Sequence, residues 1–116
     1  MSVHQPPATV VASLFEALAD PTRRQVIELL GTRPARAGEL AAAVGMSPPA
    51  MSKHLRHLLR AGLVTDERDA AEARARVFRL RPQSVAAMQA WLNQLQAHWD
   101  EQLSSFQSHL DREQQQ

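Results

Sequence analysis

The sequence predicts a mostly helical fold with a small β-hairpin wing, a winged helix-turn-helix of element order ααααββα. Two short segments with helical periodicity are joined by about three residues around Gly45 and Ser47, which is the helix-turn-helix pattern. After Gly62 the period changes from helical to alternating, and a long helical segment follows. The chain has 116 residues, the size of one domain, and we predict a single domain over residues 1–116.

Two helices are predicted ahead of the helix-turn-helix. The first, over residues 8–19, has an apolar stripe at helical spacing that consists of Val11, Leu14, Phe15 and Leu18. Asp20 can cap a second helix, and Pro21 suits its first position because the N–H that proline lacks has no partner there. Gly31 is placed to end this helix, and residues 32–36 are predicted to form a loop.

The helix-turn-helix is predicted over residues 37–61. Its first helix covers residues 37–44 and stops at Gly45, and Ser47 can cap the second helix over residues 48–61. The second helix has an inward apolar stripe that consists of Met51, Leu55, Leu58 and Leu59.

A β-hairpin wing is predicted over residues 63–81. Its strands are residues 63–68 and 75–81, which alternate apolar and polar residues, imperfectly in the second strand. The polar segment 69–74 between them lacks the Gly or Asn of a tight turn, and propensity alone also allows a helix. The preceding helix-turn-helix favours the hairpin, which Pro82 ends.

A last helix is predicted over residues 84–110. Its apolar residues, three or four positions apart, are Val85, Met88, Leu92, Leu95, Trp99, Phe106 and Leu110, with Trp91 and Leu103 widening the stripe. A helix of about 27 residues is about 40 Å long, more than a domain of this size covers by itself. The stripe therefore predicts a partner, most simply a second copy of the chain. We expect Glu113 and the glutamines after it to be frayed.

Charge is distributed unevenly along the chain. Between residues 33 and 63 a single acid, Glu39, accompanies five cations, which are Arg33, Arg36, Lys53, Arg56 and Arg60. After Pro82 the balance is reversed, with Arg112 against four acids. A basic middle of this kind favours a polyanionic partner, and we expect that partner to be double-stranded DNA.

The fourth predicted helix carries the candidate DNA-binding residues. Its outer face offers Pro49, Ser52, Lys53, Arg56, His57 and Arg60, and a helix with such side chains fits the major groove. Ser47 and Ser52 lie near the helix start, where hydroxyls and free N–H groups commonly hold a phosphate, and His54 lies at the edge of the apolar stripe. The alternative is a merely solvated face, which the absence of any acid between Leu40 and Thr65 disfavours.

The predicted wing adds weaker candidates. Arg74 and Arg76, with Arg68 nearby, can reach the minor groove or the flanking phosphates. Acids are interleaved with them, so DNA contact and simple solvation of Arg74 and Arg76 remain equal alternatives at this stage.

The sequence resembles the ArsR/SmtB-type bacterial regulators. The resemblance covers nearly the whole chain, and its segments are ADPTRR at 19–24, ELAA at 39–42, MSPPAMSKHL at 46–55 and LLRAGLV at 58–64. It implies winged helix-turn-helix subunits that dimerise through the first and last helices and bind an inverted-repeat operator, usually to repress transcription. The interface residues implied on those helices are Val11, Leu14, Phe15, Leu92, Leu95, Trp99, Leu103 and Phe106.

The metal sites of this family are only partly matched. A Cys-x-Cys site in the third helix is replaced by Ala41 and Ala43. On the last helix His98 and His109 keep the family's eleven-residue gap, and they could share an ion only across an antiparallel dimer.

The positions that hold acids in the family's last-helix site are Gln96 and Arg112 here, and a fixed cation opposes zinc. We therefore predict no metal and no cofactor, as in the family's metal-independent, autorepressor-like branch. A zinc-responsive repressor, with nearby acids substituting, remains an alternative. The sequence does not identify a small-molecule effector, although an apolar ligand between Trp91 and Trp99 remains open.

Other functional classes fit the composition less well. The chain has no cysteine and 4 glycines, and it shows no carboxylate pair, Ser-His-Asp set or phosphate-binding glycine loop, so we predict that it is not an enzyme. A winged-helix protein-interaction module is a further alternative, but such a helix would more often expose apolar anchors. We expect no membrane span, no signal peptide and a cytoplasmic location.

Overall fold

The computed structural model describes residues 8–115 and, within that range, contains five helices and three strands. They are α1 (Ala8–Ala17), α2 (Pro21–Thr32), β1 (Ala35–Arg36), α3 (Ala37–Val44), α4 (Pro48–Ala61), β2 (Val64–Arg68), β3 (Arg76–Leu80) and α5 (Pro82–Gln114). The predicted order of helices and wing strands is confirmed, and β1 is an addition.

One apolar core holds the first four helices against the sheet. The largest fully buried side chains come from the first four helices and from the residue just before β2, and they are Leu14, Val26, Leu40, Met51, Leu55, Leu58 and Leu63. The inward stripe predicted for α4 is confirmed for Met51, Leu55 and Leu58, while Leu59 is partly buried. The opposite face of α4 is thereby left to solvent.

The junction between α1 and α2 is closed by hydrogen bonds from the ADPTRR segment. The Asp20 carboxylate accepts from the backbone N–H groups of Thr22 (2.8 Å) and Arg23 (3.1 Å), as predicted for an N-cap. In return the guanidinium groups of Arg23 and Arg24 donate to carbonyls at the end of α1, Ala17 O at 2.6 Å and Leu18 O at 3.3 Å. Both helix ends are therefore satisfied within a few residues.

The sheet has three antiparallel strands in the order β1-β3-β2. Phe78 in the central strand pairs with Ala35 on one side and Asp66 on the other, and its side chain is buried. The prediction of a loop at residues 32–36 was wrong for Ala35–Arg36. Two residues carry no detectable periodicity, and this strand exists only because β3 supplies its hydrogen-bonding partner.

Two glycines with left-handed backbone delimit α4. Gly45 (φ 79°) ends α3, and Gly62 (φ 83°) ends α4 and turns the chain into β2. Between them the Ser47 hydroxyl accepts from the Ala50 N–H at 3.3 Å, the predicted N-cap. These contacts fix where the exposed face of α4 begins and ends.

Several helix ends differ from the prediction. The first helix ends at Ala17 rather than residue 19, because Leu18 and Ala19 bond three residues back in a tighter turn. Gly31 lies inside α2, which continues to Thr32, since Pro34 rather than the glycine forces the chain into extended backbone.

The last helix is longer at both ends than predicted, because Pro82 takes its first position and the helix continues to Gln114. The expected fraying at Glu113 was wrong, and Glu113 instead pairs with His109 one turn earlier, Oε1 to Nε2 at 3.2 Å. The base of α5 is joined to the end of α4, because Ser84 Oγ donates to Gly62 O and Arg81 N donates to Leu63 O at 2.9 Å. Farther along, Trp91 packs on Phe15 of α1, with ring centroids 5.4 Å apart.

Beyond Met88 every described residue of α5 is exposed, so the helix projects from the core. The molecule measures 74 × 38 × 23 Å as a result. Its long dimension is largely this one helix, about 50 Å for 33 residues.

Candidate DNA-binding surface

The outward face of α4 is a narrow cationic strip. At about 100° per residue, Pro49, Lys53 and Arg56 point within about 40° of the direction of Arg60. All four are exposed, and the buried Met51 lies on the opposite side of the helix. Since α4 contains no acid, no carboxylate on this helix would repel a polyanion that approaches the strip.

Two further candidates on α4 point away from this strip. His57 lies about 60° to one side, where its Nε2 is 2.9 Å from Glu16 Oε2 on α1. His54 lies farther round and close to Asp20, whose pKa is lowered mainly by the Arg23 backbone N–H, with a smaller contribution from the His54 charge. The structure therefore brings both histidines to the α1–α2 side of the helix and not to the strip.

The two serine candidates have different environments. Ser47 is exposed, but its hydroxyl is occupied in capping α4. Ser52 is half-buried and lies about 80° from the direction of Arg60, on the side opposite His57. Both serines lie near the N-terminus of α4, but Pro48 and Pro49 have no N–H and the N–H groups of Ala50 and Met51 donate to Ser47, so the first turn has no free backbone donor for a phosphate.

Two of the four arginines on the wing are paired with acids of the wing. Arg76 Nη1 lies 2.6 Å from Asp66 Oδ2, and Arg79 pairs with Glu67. Arg74 and Arg68 have no ion pair among residues 8–115 and are exposed. Of the two predicted wing contacts, Arg74 is thus the one whose charge is not already compensated.

Arg36 anchors the tip of the wing to the helix-turn-helix. Its guanidinium pairs with Asp69 and, at 2.9 Å, with Glu72, both in the segment between the wing strands. These partners raise the pKa of Arg36, while the Ala71 N–H and then Arg36 lower the pKa of Asp69. Arg36 was one of the five cations of the predicted basic middle, and the sequence showed no sign of its pairing because the two acids lie 33 and 36 residues away.

The predicted dimer residues fall into two groups. Val11 and Leu14 are buried within the protomer, and Phe15 is half-buried against Trp91, so these side chains have little surface left for a partner. The α5 candidates are exposed by 42–61%, and they are Leu92, Leu95, Trp99, Leu103 and Phe106. Val10 on α1, which was not among the predicted interface residues, is 43% exposed.

The histidines of α5 do not assemble a metal site within one chain. His98 and His109 are both exposed, and His109 pairs with Glu113. Among residues 8–115 no three His, Asp or Glu side chains converge as metal ligands. On the third helix Ala41 is buried and Ala43 is exposed, and neither can ligate a metal.

One apolar core shared by the first four helices, a helix-turn-helix with an exposed cationic second helix and a two-stranded wing together define a winged helix-turn-helix protein. A family model described as "Bacterial regulatory protein, arsR family" matches residues 20–66. The HTH-type transcriptional regulator Rv2034 of Mycobacterium tuberculosis is 36% identical over 99 residues, covering 85% of this chain and 87% of that protein. The chain therefore belongs to the arsR family of transcriptional regulators, which are not enzymes.

Solved structures agree with this assignment. An ArsR-like transcriptional regulator from Rhodococcus sp. RHA1 superposes with a TM-score of 0.75 at 30% identity, covering 84% of this chain and 90% of that one. The homodimeric winged helix-turn-helix DNA-binding domain Mb0332 of Mycobacterium bovis, a possible ArsR-family regulator, gives 0.59 at 26% identity, with 82% of each chain covered. Over residues 8–115 the chain has no helix long and apolar enough to cross a membrane.

Proposed function

We propose that this protein is a cytoplasmic, homodimeric regulator that binds an inverted-repeat DNA operator and represses transcription. The observation that carries the proposal is the acid-free cationic strip of α4, on which Lys53, Arg56 and Arg60 are exposed side by side. A helix of 14 residues with a buried opposite face can enter a major groove and still be held by the core. Repression and the cytoplasmic location are proposed from the family.

The proposal assigns the contacts unequally. Lys53, Arg56 and Arg60 face the groove, with Pro49 and Ser52 beside them at the start of the helix. Arg74 reaches the flanking phosphates from the wing, because it has no ion pair among the described residues. His54 and His57 face the body of the protein and are left out of base reading.

A homodimer is proposed because it would bury the exposed apolar residues of α5 against a second copy of the chain. Trp99, Leu103 and Phe106 are 57%, 58% and 61% exposed, and they lie in line on one face of the helix. A row of large apolar side chains of this kind marks an interaction surface. The homodimeric Mycobacterium bovis domain supports a second copy as the partner.

The test is fluorescence anisotropy of the protein on DNA from its own upstream promoter, against scrambled DNA of equal length. At near-physiological salt we expect the promoter to bind about 10³-fold more tightly. The variant Lys53→Glu should lose this preference and stay folded, whereas Arg112→Glu, with the same change in charge on α5, should keep it. Retained promoter affinity in Lys53→Glu would overturn the assignment of α4.

The same titration, repeated with zinc and with chelator, separates the alternatives. Binding that zinc does not change supports the metal-independent proposal, whereas release by zinc would restore His98 and His109 as a sensor. Equal, weak and salt-sensitive binding to both DNAs would instead favour a winged-helix protein-interaction module.

A further inference from the structure

The apolar stripe of α5 is a palindrome. Its members are spaced 4, 3, 4, 4, 3 and 4 residues apart, symmetrically about Trp99, and they are Met88, Leu92, Leu95, Trp99, Leu103, Phe106 and Leu110. The helix itself runs from Pro82 to Gln114, so Trp99 also lies close to its midpoint. The stripe from Met88 to Leu110 therefore reads the same way in either direction from Trp99, whereas Val85 and Trp91, nearer the start of α5, have polar residues at their mirror positions.

The directions of these side chains share the symmetry. At about 100° per residue, all six lie within about 40° of the direction of Trp99, with Leu95 and Leu103 at equal angles on opposite sides. The repeat is eleven residues from Met88 to Trp99 and eleven from Trp99 to Leu110, which keeps the stripe nearly parallel to the helix axis. Such a stripe suits straight helices packed along their whole length.

We propose that two copies of α5 pair antiparallel with Trp99 on the two-fold axis, which places Leu95 level with the partner's Leu103 and Leu92 level with the partner's Phe106. A two-fold interface requires that residue i meets residue j wherever j meets i, and only a palindromic stripe satisfies this in an antiparallel pair without gaps. The proposal rests on the homodimer proposed above and adds its register, which the dimer by itself does not fix.

The exposure along α5 fits this arrangement. The first part of the helix rests on α1, where Trp91 meets Phe15, while residues 92–115 are exposed. Antiparallel pairing about Trp99 lays this projecting half of each helix over the anchored half of the other. Met88 is buried in the core of its own protomer, so the part of the stripe that a partner can cover runs from Leu92 to Phe106, with the mirror position of Met88, Leu110, at its margin.

The register has a consequence for metal binding. A shared ion needs His98 level with the partner's His109, which would move the two-fold axis to a point between Leu103 and Ser104. Trp99 would then lie level with the partner's Ser108, and Leu95 with the partner's Arg112. Apolar side chains of one α5 would then face polar side chains of the partner's α5 along the interface.

In the Trp99-centred register His98 and the partner's His109 are nine residues apart along the axis, about 13 Å. Both imidazole nitrogens must lie about 2 Å from a shared zinc ion, and an offset of this size along the axis disfavours that arrangement. The palindrome therefore separates the two histidines that a last-helix metal site would need.

Disulfide cross-linking tests the register cleanly, because the chain has no native cysteine. The double variant Leu95→Cys/Leu103→Cys should form a covalent dimer on mild oxidation. Each single variant should not, because equivalent residues then lie about 12 Å apart along the axis, beyond disulfide reach. Efficient cross-linking of Leu103→Cys alone would overturn the register, since it places the axis at Leu103.

A spin label on the outer face of α5 provides a second measurement of the register and does not alter the apolar stripe. Ser108 points away from Trp99, and nitroxides on Ser108→Cys should be separated by about 27 Å along the axis, against about 13 Å in the register that joins the histidines. Sedimentation on the same samples separates the two proposals. A dimer with the shorter separation refutes the register alone, whereas a monomer at all concentrations refutes the proposed dimer and the register with it.

Discussion

Glu16 Oε2 lies 2.9 Å from His57 Nε2, and this contact joins the first helix to the side of α4. It turns His57 away from the cationic strip and toward a shallow cleft between the two helices. Arg60 borders the same cleft and is itself exposed. One turn of α4 thus contains a residue that contacts the protein body beside residues that face solvent.

The first prediction compares two adjacent residues of α4. Arg56→Gln should weaken promoter binding roughly 5-fold to 150-fold, about 1–3 kcal/mol, because it removes a base or phosphate contact. His57→Gln should change the affinity by less than about 3-fold and the free energy of unfolding by less than about 1 kcal/mol, since the Glu16 pair is solvent-exposed. Anisotropy titrations and urea melts measure the two quantities, and equal losses of affinity would contradict the division of α4 into two sides.

The second prediction concerns salt dependence. Arg74→Ala should reduce the slope of log K against log salt concentration by about 0.9, because one phosphate contact is lost. Arg79→Ala removes the same charge from a residue that is already paired with Glu67, so its slope should stay close to that of the unaltered protein. The measurement is promoter affinity at four or more salt concentrations. A larger change for Arg79→Ala would show that the wing approaches DNA with its other face.

The third prediction uses two glycines as a matched pair. Gly62→Ala should lower the free energy of unfolding by about 1–2 kcal/mol, because Gly62 has a left-handed backbone (φ 83°) that a Cβ disfavours. Gly38→Ala should raise it by about 0.4–1 kcal/mol, since Gly38 is helical and no atom lies within 4 Å of an added Cβ. Chemical denaturation of both variants measures whether the free energy of unfolding falls or rises. Destabilisation by Gly38→Ala would contradict the prediction for Gly38.

The fourth prediction is a pH dependence at the start of α2. The Arg23 and Thr22 N–H groups hold the pKa of Asp20 below its usual value, so the charged carboxylate stabilises the folded state. This contribution is complete above the unfolded pKa of about 3.9 and is lost as the pH falls through the lower, folded pKa.

Asp20→Asn is the matched control, because asparagine caps a helix without titrating. The unaltered protein should therefore lose more stability than this variant between about pH 5 and pH 2, in paired urea melts. Parallel curves would show that Asp20 does not act through its charge. Asp20→Ala should cost about 1 kcal/mol at neutral pH.

The sequence predicted what depends on local pattern. The spacing of Met51, Leu55 and Leu58 identified both α4 and its buried face, and Ser47 and Gly62 marked its ends. Contacts between distant segments were not predictable in this way. Arg36 is read as a free cation until the wing folds back onto it, and β1 has no signal of its own.

In the candidate DNA-binding surface, too, local pattern was predictable and contacts between distant segments were not. A helical wheel placed His57 near the strip, but a partner 41 residues away on α1 decides where its ring lies. Val11 and Leu14 were predicted at the dimer interface and are buried within the protomer. Periodicity could not make this distinction, because an apolar stripe does not reveal which element covers it.

The joint between α4 and α5 connects the helix that would read the bases of an operator with the helix that would set the spacing of its half-sites. Ser84 and Arg81, at the base of α5, bond to the carbonyls of Gly62 and Leu63 at the end of α4. In a dimer paired through α5, this joint determines how far apart the two α4 helices stand and therefore the number of base pairs between half-site centres, commonly about 10. Exchanging the outer residues of α4 would change which bases are preferred, whereas altering the joint would change the spacer length that the protein tolerates.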